Sequence, residues 1–135
     1  RVYQEVMLEL TAAREISIKS THQALMDRMH EMPALIFVCV IGQPEPSHSS
    51  NVAFYGSILP AAWSLMLALR ARGIGTTWTS LLSAREEEIA GILDIPEGVL
   101  QTVMLPIAYT KDARLKPANR LTAVEVTFVD SWGSR

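Results

Sequence analysis

The 135 residues carry 12 Lys+Arg against 14 Asp+Glu, a formal net charge of -2, which fits one domain and makes nucleic acid a poor partner. Hydrophobic residues make up 49% and charged residues 19%, below the roughly 25% usual for soluble domains, so there is more apolar surface than a small monomer hides. A buried subunit interface is the expected sink, and the single cysteine, Cys39, rules out an intrachain disulfide framework and leaves the cytoplasm as the expected compartment.

Residues 2–19 place Val6, Leu10, Ala13 and Ile16 near the helical period, with Glu5, Glu9, Arg14 and Glu15 on other faces, and predict a helix. Ser20 and Gln23 have capping-box spacing, after which Leu25, Met29 and Met32 give a second helical stripe that Pro33 stops. Residues 34–41, ALIFVCVI, are continuously apolar and rich in β-branched side chains, the mark of a central strand covered on both faces. Residues 42–50 hold turn formers and prolines and read as an exposed loop. Residues 54–72 predict a helix with almost no polar face, which must be buried all round. Its apolar part, residues 58–69, is too short for a bilayer, so no membrane span is expected. Pro60 marks its regular start or a kink, and Gly73 fits the left-handed position that ends a helix.

Residues 75–79 are a short strand candidate, and Ser83 with Glu86 forms a second capping box that opens a helix to about Leu93. Residues 94–98 are a turn, and residues 99–109 a further strand in which Pro106 demands an edge or a bulge. Residues 124–129, VEVTFV, read as a last strand.

Little here matches simple catalytic chemistry. His22, His30 and His48 are not at ligand spacing and no Cys or carboxylate pair completes a metal set. Cys39, inside an apolar strand, reads as core packing. There is no G-x-S-x-G, Walker or G-x-G-x-x-G motif. Two segments stand out. The uncharged residues 73–82 offer backbone N–H groups near Ser80 and Leu81 to a ligand, the alternative being an ordinary strand-to-helix turn. Lys116 and Arg120, in a proline-stiffened segment, are cations that suit a phosphate, the alternative being solvated loop charges.

Taken together, ALIFVCVI, the block LALRARGIG, the T-x-W-x-S turn, LDIPEG, the strand end LPIAY and Lys116-x-x-x-Arg120 resemble the flavin-dependent nitroreductase family. The resemblance covers nearly the whole chain as one nitroreductase-like domain, residues 1–135, and corresponds to the family's later two-thirds. The family's opening Arg-rich and Asn-bearing segments, which contact flavin, have no counterpart here. The resemblance implies an α+β fold, a mixed sheet flanked by helices, in an interlocked homodimer with FMN in two sites built from both chains. It places Trp78, Thr79, Ser80 and Leu81 beside the flavin, with Ser80 and Leu81 next to N5. Where some members have a carboxylate this chain has Ser80, so a general-acid carboxylate is not carried over. Arg120 matches the family's phosphate-binding Arg, with Lys116 as a helper, and the C-terminal strand with Trp132 resembles an extension that wraps the partner. The activity implied is NAD(P)H-dependent reduction of a small-molecule acceptor, a nitroaromatic or quinone, by ping-pong hydride transfer. The rival, from another class, is a truncated, non-catalytic dimeric remnant that holds no flavin.

Overall fold

The computed structural model describes residues 1–111, 113 and 116–135. Its framework is a three-stranded antiparallel sheet in which β1 (Ala34–Ile41) and β2 (Ile74–Thr76) flank β3 (Val99–Tyr109). The helices are α1 (Val2–Ala13), α2 (Ser20–Arg28), α3 (His48–Arg70), α4 (Glu86–Leu93) and a short α5 (Ala123–Val126), with 3₁₀ turns at Met29–Glu31 and Leu81–Arg85.

The middle of the sheet is β3, not the ALIFVCVI strand that the sequence placed there. Residues 101–106 are buried without a break, whereas β1 is an edge strand, half-buried along most of its length and open at Ile41, which is 85% exposed. A continuous apolar run reports that both faces are to be covered; it does not report whether the cover comes from the same chain. One extra residue, Thr102, interrupts the register between Val38 and Cys39, and its Oγ1 closes the bulge by donating to Val38 O at 2.8 Å. Pro106 sits inside β3 without breaking a bond. Alternation along the strand turns its nitrogen towards β2, into the gap between the Thr76–Ile107 pair and the Thr79–Met104 bridge.

The core lies on one side of this sheet. Val2, Tyr3, Val6 and Met7 of α1 pack with Met26, Leu82, Ile89 and Met104, and Leu10 lies against them half-buried. The helix expected to run to residue 19 stops at Ala13, because Glu15 takes a left-handed φ of 51°; Ala13 and Ile16 are exposed. Neither expected capping box forms. Lys19 is the N-cap of α2, and the Gln23 amide donates to Asp27 instead (2.8 Å). Arg85 is the N-cap of α4, while Ser83 Oγ donates to Ser80 O (2.7 Å) inside the 3₁₀ turn. The box that does form joins Thr122 and Glu125 at the start of α5. That helix and the exposed tail after it replace the strand expected over residues 124–129.

Helix α3 begins at His48, where Ser47 Oγ accepts the Ser50 N–H (3.1 Å), six residues before the sequence expectation. It continues through Pro60 and ends at Arg70, two residues short of the expected end, with Gly73 left-handed as expected (φ 73°) and its N–H on Arg70 O (3.1 Å). At 23 residues it is long and apolar enough, by length and composition alone, to cross a membrane, because residues 48–57 prove helical as well. Nor is it buried all round: it packs on the sheet, Ala62 alone is fully buried, and Trp63 is 55% exposed.

Candidate functional site

The uncharged turn singled out in the sequence is fixed to β3 at two points. After Thr76 the chain leaves the ladder, and Thr79 rejoins it: its N–H donates to Met104 O (3.1 Å) and its carbonyl accepts the Met104 N–H (2.8 Å). The 3₁₀ turn follows, with Ser80 O accepting the Ser83 N–H (3.1 Å), and where α4 starts the Gln101 amide donates to Glu86 O (3.0 Å). Residues 80–85 are thus slung between two anchors on the most buried strand, which fixes the direction of their backbone groups. The Leu81 N–H reaches Thr79 Oγ1 at 3.4 Å, the long limit of a hydrogen bond, and among the described residues the Ser80 N–H donates to none of the turn's acceptors.

A cleft opens on each side of this turn. One, of about 410 Å³, lies against α1 and α2, with Tyr3, Met7 and Leu10 as apolar wall and the Arg14 guanidinium and His22 imidazole among its polar lining. The other, of about 450 Å³, lies between the turn, α3 and β3, walled by Tyr55, Leu59 and Gln101. Trp78, Ser80 and Ser83 face both. Each volume falls in the range of small-molecule sites, about 300–1,000 Å³. Burial raises the Tyr3 phenol pKa above its ordinary 10.0, with the Thr79 hydroxyl pulling the other way, so at neutral pH a protonated phenol lies beneath the turn.

Of the residues that the resemblance assigned to the cofactor, four come together: Trp78, Thr79, Ser80 and Leu81 line the first cleft. Lys116 and Arg120 do not join them. Both are exposed in the segment after β3, Arg120 Nη1 donates to its neighbour's carbonyl, Asn119 O (3.1 Å), and neither lines a cleft with the turn. Among the described residues, Arg14 is the one Lys or Arg side chain that lines either cleft beside the turn. Sequence reasoning missed Tyr3, Tyr55 and Gln101. The signal for Gln101 was available: it is a lone amide in the largely apolar run 99–109, where burial obliges it to find partners. Among the described residues no group of His, Cys, Asp or Glu stands together as a metal set.

The nitroreductase family model matches residues 2–109. The chain belongs to the nitroreductase family. It is 31% identical over 98 residues, 65% of its length, to the nonribosomal peptide synthetase ecdA of Aspergillus rugulosus, and spans 1% of that protein. Among solved structures it resembles the nitroreductase-like family protein from Bacillus cereus, with a TM-score of 0.61 and 21% identity over 96% of this chain and 67% of that one. It also resembles oxidized iodotyrosine deiodinase bound to FMN and 3-iodo-L-tyrosine, with a TM-score of 0.56 and 20% identity over 94% of this chain and 69% of that one. The fold is accordingly α+β and nitroreductase-like, with helices on an antiparallel sheet.

Proposed function

We propose that this nitroreductase-family chain is the core of an FMN-dependent oxidoreductase, working in the cytoplasm as a homodimer. When bound, FMN would supply the hydride relay, from NADH or NADPH to a small-molecule acceptor such as a nitroaromatic or quinone. The observation that carries this reading is the turn at residues 78–81, held at Met104 and Glu86 beside two clefts of ring size. In it, Trp78 and Thr79 would flank the flavin ring, and the N–H groups of Ser80 and Leu81 would donate to its N5 edge, where charge develops during reduction. Because these donors belong to a backbone already pinned to the sheet, they need no reorganisation as the reaction proceeds. Lys116 and Arg120 would balance the phosphate. The exposed stripe of Val52, Trp63 and Leu67, successive on one face of α3, would be the face covered by the second copy.

One observation favours a second reading, a dimeric remnant that holds no flavin: Lys116 and Arg120 lie outside both clefts. Titrating FMN into the protein and into Arg120→Ala separates the two. If Arg120 holds the phosphate, the variant loses about 1.5–3 kcal/mol, a roughly tenfold to hundredfold rise in Kd, with less change in turnover at saturating FMN. Equal affinity in both proteins removes Arg120 from the site.

A further inference from the structure

The ladder between β2 and β3 lacks one rung. Thr110 N–H donates to Gly73 O (2.9 Å), Gly75 pairs with Ala108, and Thr79 exchanges both of its backbone bonds with Met104 (3.1 and 2.8 Å). Hydrogen-bonded pairs alternate along an antiparallel ladder, so on this register Thr77 faces Pro106 at the remaining bonding position. The register is the same on both sides of the gap, and no residue is inserted or lost across it. Even so, β2 stops at Thr76, and among the described residues neither the N–H nor the carbonyl of Thr77 makes a backbone hydrogen bond.

The proline supplies a cause. Its ring removes the N–H that would meet Thr77 O and sets a methylene, Cδ, in the same space, so the strands cannot close there. Proline in a sheet is ordinarily confined to edge strands and bulges, yet here it stands in the buried middle strand. The ladder to β1 loses nothing by it, because Leu35 and Pro106 face each other at a position without hydrogen bonds and the pairing runs on in register. The missing rung therefore acts on one segment alone, Thr77 and Trp78. Both are exposed and line the cleft against α1 and α2, and Trp78 lines the cleft on the other side as well.

We propose that Pro106 is a positioning residue for the two clefts: it holds the Thr77 rung open and so keeps Thr77 and Trp78 off β3, where they serve as cleft wall. With an N–H at position 106 the rung would close, β2 would run unbroken from Ile74 to Thr79, and that wall would be drawn onto the sheet. The consequence for FMN rests on the proposed function, whereas the open rung does not.

Pro106→Ala and Pro106→Val each restore the N–H, and the second also brings a good strand former. NMR on the isotopically labelled whole chain reads the rung directly. In the variants a coupling across the hydrogen bond should join the residue 106 amide to the Thr77 carbonyl, and that amide should exchange with solvent as slowly as the Met104 N–H. FMN should bind about tenfold more weakly, the equivalent of one hydrogen bond lost to the ring, while the denaturant midpoint holds or rises because a bond has been gained. A residue 106 amide that exchanges freely and shows no coupling overturns the proposal. So does loss of folding in both variants, the result of a buried N–H left without a partner. A closed rung with unchanged FMN affinity overturns the positioning role. Should the unsubstituted chain bind no FMN, the proposed function fails, and the coupling still decides whether Pro106 holds the rung open.

Discussion

A thiol reacts according to how far it ionises and how much of it a reagent can reach. Cys39 lies half-buried on β1, and burial raises its pKa above the ordinary 9.0. A disulfide reagent at pH 8 should therefore label the native protein at least several-fold more slowly than the unfolded chain, and the native rate should keep climbing with pH beyond 9.0. Equal rates in the two states would show that β1 is uncovered at Cys39. The strand position of this residue was legible from the run of β-branched neighbours, but its half-burial was not, because that depends on β1 being an edge. The site divides in the same way. Ser80 and Leu81 could be singled out from an uncharged stretch between an apolar helix and a capping-box pattern. Tyr3 could not, since it reaches the turn from 76 positions away only once α1 has packed, and nothing local distinguishes it from a core aromatic.

At the scale of elements, β2 is short and its hold on β3 depends on Gly75. A Cβ there would stand 2.6 Å from Thr110 Cγ2, and Thr110 cannot simply turn aside, because its Oγ1 donates to Gly73 O at 2.9 Å. Gly75→Ala should therefore cost about 1–3 kcal/mol in denaturant unfolding, as overpacked sites do. Adding Thr110→Ser, which deletes the clashing methyl and keeps the hydroxyl, should restore most of that loss. A double variant no more stable than Gly75→Ala would place the strain elsewhere. Strand β3 could be read to the residue, and the end of α3 to within two residues, because apolar runs and left-handed glycines act locally. The misread tail shows where that approach fails. VEVTFV has the alternation of a strand, but Thr122 and Glu125 close a capping box that commits the start of the segment to a helical turn. Ser20 and Ser83 failed as caps for the opposite reason: spacing alone does not set the backbone of the residue before a helix.

For the whole molecule, the excess of apolar residues in the composition is realised as exposed surface on α3, where Val52, Trp63 and Leu67 form one stripe. If a second copy covers it, the protein should sediment as a dimer at micromolar concentration without detergent. Because Trp63 is 55% exposed within one chain, Trp63→Lys should shift that protein towards a folded monomer rather than unfold it. A stable monomer before any substitution would refute the interface, and a need for detergent would assign α3 to a bilayer. The central claim is that the turn at residues 78–81 serves a flavin ring, and direct titration of the purified 135-residue chain with FMN tests it, followed by the visible absorption bands and by flavin fluorescence. The account predicts saturable binding, with the bands perturbed and the fluorescence quenched as the ring settles beside Trp78. Bands and fluorescence that stay those of free FMN at every protein concentration would contradict it.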